Sequence, residues 1–318
     1  MATHELKLLS IVIPAHNEEQ GIAHALDVVS DVLDSCVPDW EIIVVDDGSH
    51  DRTFDRVREI SQTDARVKGV RFSRNFGKEA ALLAGLNVAR GNAVVTIDAD
   101  LQHPPQLIPQ MIEAWRNGAK VVDGVKRSRE IDGVLTRARA KLFNSMLSKL
   151  GGINIGNSSD FKLLDRLVVD TIIKKLPERQ RFYRGLSDWV GYEHASIPFD
   201  VEARAQGAGK WTFWRLVDLA TTATVSFTSA PLRIVTAMGL MTMLFGLAVG
   251  AEALFGWILG RAVSGFTTMI FTLLILGSFI MISLGIIGEY VAKIYDEIKL
   301  RPSYLIESQI GIEEERSP

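Results

Sequence analysis

A single cysteine, Cys36, stands in a chain of 318 residues. No intrachain disulfide can form, so the fold must rest on its apolar core, and a reducing compartment is expected. An excess of positive charge is also missing. The net charge of -3 removes the electrostatic footprint of a nucleic-acid binder. Neither G-x-G-x-x-G nor G-x-x-x-x-G-K-[ST] occurs, so a bound nucleotide would be held by something other than a glycine-rich phosphate loop. Low-complexity tracts and internal repeats are absent. Residues 1–15 are not expected to be a secretory signal, because the apolar run is short, carries Glu5 and lacks a basic flank.

Apolar residues are abundant but unevenly placed. Residues 1–210 read as a soluble α/β domain. Residues 234–259 are almost wholly apolar apart from Glu252, and 266–287 carry no charge. Each is long enough to cross a bilayer, which takes about 20 helical residues. The link over 260–265 is short, so 230–290 is expected to form a two-helix transmembrane hairpin. Before it, 211–229 mixes Trp211, Phe213 and Trp214 with only Arg215 and Asp218 as charges, the pattern of an amphipathic helix lying in the interface. A cytoplasmic tail is expected over 291–318.

Within the first domain, short β-branched runs alternate with helical periods. Strands are expected over 8–13 (stopped by Pro14), 40–45, 67–72, 93–97 and 120–124. The helix over 19–35 places Ile22, Ala25, Leu26, Val29 and Leu33 on one face. Such alternation implies parallel βαβ units whose strand C-termini share one edge, where ligands bind in open α/β sheets. Pro14, Asp46, Asp47, Asp98 and Asp100 would converge there. Asp98 and Asp100 end an apolar strand and precede a Pro-Pro break. Two hard oxygen ligands one residue apart suit Mg²⁺ or Mn²⁺, although a lone Asp-x-Asp also fits a solvated turn.

Three blocks carry a resemblance: SIVIPAHNEE at 10–19, VVDDGS at 44–49 and DADLQ at 98–102. They resemble the signature blocks of family 2 glycosyltransferases, enzymes with the GT-A nucleotide-sugar-binding fold and a mostly parallel sheet. Further blocks, RNFGK at 74–78, DFKLL at 160–164 and RAQGAGK at 204–210, together with the paired apolar helices, resemble the polyprenyl-phosphate sugar transferases. That group contains dolichol-phosphate mannose synthase and the bacterial bactoprenol glucosyltransferases, and the likeness to the latter covers nearly the whole chain.

The resemblance implies an inverting transfer of a sugar, glucose from UDP-glucose, onto undecaprenyl or another polyprenyl phosphate. It places Pro14, Ala15, Asn17, Glu18, Val45, Asp46, Asp47, Asp98, Ala99, Arg127, Arg204 and Lys210 around the nucleotide sugar. Asp100 and Gln102 would hold the metal, and Asp98 would face the sugar. Asp160 matches a position where some relatives place a general base, beside which a structural role stands open. Arg127, Arg137, Arg139 and Lys210 would meet the lipid phosphate, since cationic groups, and planar guanidinium forks above all, suit phosphate oxygens. Gly209 stands where the related block carries Ser, so a hydroxyl is lost there. A phosphate monoester, with a second pKa near about 6, is already largely ionised at neutral pH, so the acceptor needs little help from a base.

Arg233, Lys293, Lys299 and Arg301 flank the hairpin outside its link, which carries only Arg261. That excess places the catalytic domain and both termini in the cytoplasm, at the inner (plasma) membrane. Gly246-x-x-x-Gly250 and Gly256-x-x-x-Gly260 mark close helix contacts within the hairpin or between subunits of a homo-oligomer. Other readings remain: the same reaction with GDP-mannose, a non-catalytic membrane scaffold, and a processive polysaccharide synthase. The last is disfavoured because Gln180–Arg184 is followed by Gly185 where such enzymes carry Trp.

Overall fold

The computed structural model describes residues 5–126, 158–176, 183–199, 230–260 and 265–312. The chain divides into two compact units. One comprises Met1–Lys210 with Arg301–Pro318, the other Trp211–Leu300.

The first unit is built on an eight-stranded sheet. Its strands are β1 (Leu9–Ala15), β2 (Trp40–Asp46), β3 (Val67–Phe72), β4 (Ala93–Thr96), β5 (Val121–Lys126), β6 (Ser158–Asp165), β7 (His194–Phe199) and β8 (Ile306–Ile310). They lie in the order β7-β5-β6-β4-β1-β2-β3-β8. β1 runs parallel to both β2 and β4, and β2 parallel to β3. Every residue of β2 and β4 is buried, as expected of strands covered on both faces.

Helices α1 (Ile22–Cys36), α2 (Thr53–Thr63), α3 (Lys78–Val88), α4 (Ile108–Arg116), α5 (Arg166–Asp170) and α6 (Tyr183–Trp189) complete the described part of this unit. α1 buries Ile22, Ala25, Leu26, Val29 and Leu33, the face read from its period. With Ile108, Met111 and Trp115 of α4, the residues Ile22, Leu26, Val29 and Leu33 form one cluster around Ile11, Ile13, Ile42 and Val44. α3 packs against β1 so closely that a Cβ on Gly85 would lie 2.2 Å from Val12 Cγ1.

Two expectations change and a third is extended. β1 does not stop at Pro14 but continues to Ala15. The Val12 carbonyl accepts the last bond from the β4 side, at Ile97 N, so the missing Pro14 N–H faces a gap beyond β4 and costs no ladder bond. β6 enters antiparallel between β4 and β5, within a sheet that is mostly parallel as expected, across β3-β2-β1-β4 and again between β5 and β7. Within 291–318, expected as a tail, the described residues 291–312 first prolong the second long helix and then return as β8, antiparallel on the open edge of β3. An edge with unpaired backbone groups is a template for such an addition.

The second unit holds two long helices, α7 (Ala230–Ile258) and α8 (Phe266–Ile298). Both have segments apolar and long enough to cross a membrane, Ile234–Gly256 and Met269–Ile298, with none of either buried. Leu244, Leu247, Phe255, Phe271, Leu273 and Met281 are exposed on them.

Gly85 provides a test of the packing that carries α3. Gly85→Ala should destabilise the protein by about 1–3 kcal/mol through overpacking, and adding Val12→Ala should restore part of that loss. Thermal unfolding of the purified variants measures both; additive losses in the double variant would contradict the close approach.

Candidate active site

Parallel alignment places the carboxyl ends of β1, β2 and β4 on one rim, and a cleft of about 340 Å³ opens there. β1 and its loop contribute Pro14, Ala15, His16 and Glu18; β2 is followed by Asp47; the β4 loop adds Asp98, Ala99 and Asp100. The loop before α3 and its first turns add Asn75, Gly77, Lys78 and Ala81.

The β1 loop is held by neighbours rather than by regular structure. Asn17 takes a left-handed conformation, φ 57°. Its N–H donates to Ser49 Oγ at 2.9 Å and its Oδ1 accepts from His50 N at 2.9 Å. His16 Nδ1 lies 2.8 Å from the Asp47 carbonyl oxygen, so this nitrogen donates. In the neutral ring Nε2 then accepts from Asn17 Nδ2 at 3.0 Å and Asn75 Nδ2 at 3.3 Å.

The two adjacent aspartates after β2 do different work. Asp46 is fully buried beneath the cleft. Its Oδ1 accepts from Ser49 N at 3.0 Å and from the Ser49 hydroxyl, and Arg71 Nε stands 3.6 Å from Oδ2. Burial raises its pKa against the bonds from Ser49. Asp47 does reach the cleft, but its carboxylate accepts the N–H groups of Phe76 at 2.6 Å and Gly77 at 2.9 Å. Burial raises its pKa too, with those two bonds opposing. Val45 is buried within the sheet. Of the residues expected around a nucleotide, Pro14, Ala15, Glu18, Asp47, Asp98 and Ala99 share the cleft wall, whereas Val45 and Asp46 lie below it.

Asp98 and Asp100 diverge similarly. Asp98 Oδ1 is 2.6 Å from Lys78 Nζ, and its Oδ2 lies 3.7 Å from the buried His103. Asp100 is exposed, and its Oδ1 accepts from Gln102 N at 3.1 Å. Between them and Gln102, Leu101 sits at φ 53°, a conformation costly for a branched side chain and held here by the turn. Glu18 has its pKa raised, first by burial and then by the charges of Asp100, Asp51 and Asp98. Negative charge thus accumulates along one side of the cleft. Among the described residues no group of three or more His, Cys, Asp or Glu encloses a metal position. One or two exposed carboxylates in a negative cleft fit Mg²⁺ or Mn²⁺ that completes its shell with water and substrate phosphates.

Asp160, for which a base and a structural role both stood open, is held by two cations. Lys78 Nζ lies 2.6 Å from its Oδ2, and Arg184 reaches both oxygens, Nε to Oδ1 at 2.6 Å and Nη2 to Oδ2 at 2.9 Å. Burial alone would raise its pKa, but the bonds from Arg184 and the charges of Lys78 and Arg184 outweigh this and hold it well below the usual carboxylate range. A carboxylate so held is a weak base, and the geometry makes Asp160 an anchor for two cations. Lys78 and Arg184 were not singled out from sequence. The signal for Lys78 was a Gly-Lys pair opening a helix at the ligand-binding rim. Arg127, Arg137, Arg139, Arg204 and Lys210, with the helix expected over 211–229, lie outside the described residues.

Glu79 in the first turn of α3 accepts from Tyr183 N at 2.7 Å. Burial is the main cause of a pKa pushed up to about 7, opposed by that bond. The folded protein therefore keeps a proton that the unfolded chain loses above about pH 4.5, and stability falls as pH rises through the window from about 4.5 to 7. Glu79→Gln should flatten this slope, worth at most about 3 kcal/mol. Unfolding temperatures from pH 5 to 8 measure it, and an equal slope in wild type and variant would contradict the assignment.

Comparison with known proteins places this cleft in a family. Residues 10–172 match the family described as glycosyl transferase family 2, a span that includes every residue of the cleft wall. An uncharacterized glycosyltransferase of Synechocystis is 42% identical over 307 residues, 96% of either chain. The bactoprenol glucosyl transferase of Shigella phage SfX is 37% identical over 303 residues, 95% of this chain and 99% of that one. Alignments of this extent cannot omit the long apolar helices. With the sheet, the acidic cleft and the full-length likeness in agreement, the chain belongs to glycosyl transferase family 2.

Proposed function

We propose that this protein transfers glucose from UDP-glucose to a polyprenyl phosphate at the inner face of the plasma membrane, with inversion at the anomeric carbon. The observation that carries this reading is the gathering of Glu18, Asp98 and Asp100 on one cleft wall beside Lys78. It is supported by relatives of nearly equal length named bactoprenol glucosyl transferase, 37% identical in phage SfX.

The cleft has room for a nucleotide between the β1 loop and the start of α3, with Asp47 and Asn75 as polar partners for the base or ribose. Asp98 faces the sugar and is oriented by Lys78. Asp100 and Gln102 would hold a divalent cation; when bound, it stabilises the charge that develops on the departing diphosphate. The acceptor phosphate attacks in a single displacement and brings its own negative charge. A base is therefore not required, which agrees with the ion-paired state of Asp160. Arg127, Arg137, Arg139 and Lys210 are assigned to the lipid phosphate on sequence grounds.

Two expectations test the reading. Asp100→Asn preserves shape but removes a charged ligand, so turnover should fall by about 100-fold or more with the fold intact, and excess EDTA should do the same to the wild type. The assay is lipid-linked product formed from labelled UDP-glucose, with GDP-mannose in a parallel arm. Full activity in either case defeats metal assistance, and product only from GDP-mannose reassigns the donor.

The second concerns topology. β8 follows the two long helices and β1 to β7 precede them, yet all share one sheet. If the helices cross the membrane they must do so as a hairpin. In a Cys36→Ser background, Arg261→Cys should react with an impermeant thiol reagent only from outside, and Arg58→Cys only from the cytoplasmic side. Labelling of both from one side would overturn the arrangement.

A further inference from the structure

The residues of the cleft wall all fall within the family-matched segment 10–172, but two contact chains leave that segment and end on β8 or just before it. The first is ionic. Glu307 Oε2 lies 3.1 Å from Arg71 Nε, and the same nitrogen stands 3.6 Å from the buried Asp46 Oδ2. Arg71 Nη2 also donates to the Ser49 carbonyl at 3.4 Å. Ser49 is hydrogen-bonded to Asp46, and its hydroxyl accepts Asn17 N of the β1 loop. Among the described residues, Arg71 is the one cation paired with Asp46.

The second chain is aromatic. Tyr304 stacks on Phe72 with centroids 5.0 Å apart and planes 14° from parallel. Phe72 meets Phe76 edge-on at 5.7 Å. Ser73 N donates to the Leu305 carbonyl at 3.0 Å, which pins the start of the same loop. Phe76 N and Gly77 N then hold the Asp47 carboxylate, as described above. The segment that follows the second apolar helix thus reaches both aspartates of the β2 tip by independent routes.

We propose that β8 and the residues leading into it are a positioning element of the nucleotide pocket: Glu307, through Arg71, seats the Asp46–Ser49 turn, and Tyr304, through Phe72 and Phe76, seats the loop that holds Asp47. Affinity for a nucleoside diphosphate then depends on side chains outside the family-matched span 10–172. Glu307 lies on β8 and Tyr304 just before it, and neither lines the cleft; they act by fixing groups that do. This rests on the proposed use of the cleft for a nucleotide donor.

The test uses the full-length protein in detergent or nanodiscs, with UDP as the probe. Glu307→Ala and Tyr304→Ala should each raise the UDP dissociation constant about fivefold, and the pair more, while kcat at saturating donor and the KM for lipid acceptor stay within about twofold. Tyr304→Phe keeps the stack and should bind UDP like the wild type. Hydrogen exchange at the Phe76 and Gly77 amides should accelerate in the Ala variants. Unchanged affinity and exchange would overturn the proposal. So would a fall in kcat and affinity together with loss of folded protein, which is the mark of a merely structural strand. If wild-type protein binds no UDP, the donor reading fails by itself, and the exchange rates alone decide whether β8 seats the loop: faster exchange upholds the seat, unchanged exchange removes it.

Discussion

The Lys78 ammonium is shared by two carboxylates at equal distance, 2.6 Å to Asp98 and 2.6 Å to Asp160, and the cleft is organised around that arrangement. Asp98 comes from the loop after β4, Asp160 from the antiparallel β6, and Lys78 from the first turn of α3. One cation therefore ties three elements that approach from different directions. Removing it would leave two carboxylates facing each other in a partly buried site, which is more costly than leaving a lone exposed charge. Arg184 completes the pairing of Asp160 from α6. Burial works against the Lys78 charge, but Asp98 and Asp160 outweigh it and raise its pKa. Glu18 and Asp100 have no ion-pair partner among the described residues, so the unbalanced negative charge lies on the side of the cleft where a divalent cation would be held.

The division of labour explains how five carboxylates can gather at this end of the sheet without prohibitive mutual repulsion. Asp46 and Asp160 are consumed by internal partners, Asp47 by two backbone N–H groups, and Asp98 by Lys78. Asp100 stays open to solvent. Gly85 sets how near the Lys78 end of the system can come, because α3 lies against the Val12 side chain of β1 at that point. A larger residue there would lift the helix, and with it the cation that orders Asp98 and Asp160.

Much of this was legible in the sequence, and the part that was not shares one cause. Strands β1 to β4, the buried face of α1 and the acidic β2 and β4 tips follow from local periods and from where apolar runs end. β6 and β8 do not, because their partners lie far along the chain: Asp165 pairs with Ala93, and Ile310 with Gly69. Pro14 looked like a strand terminator because local sequence cannot show that β4 ends before reaching its missing N–H. Asp46 and Asp47 looked equivalent, yet the first is the last residue of a fully buried strand and the second lies just beyond it. Asp160 was read by likeness to a base position; the cations that disarm it come from 78 and 184 and form no motif with it. Long-range ion pairs leave no period for a sequence reading to detect.

The return of β8 to the sheet changes what the apolar helices are. A chain that ended in two spans could carry its catalytic unit as a pendant, with the active rim indifferent to the anchor. Here β1 to β7, which precede α7, and β8, which follows α8, belong to the same hydrogen-bonded sheet, so the chain leaves one folded unit and rejoins it. The returning strand pairs with β3 and brings Glu307 within 3.1 Å of Arg71, so the chain after α8 is tied to the unit that holds the cleft. A segment whose two ends must return to one folded unit has fewer conformations than a pendant of the same length, because closing the loop removes chain entropy.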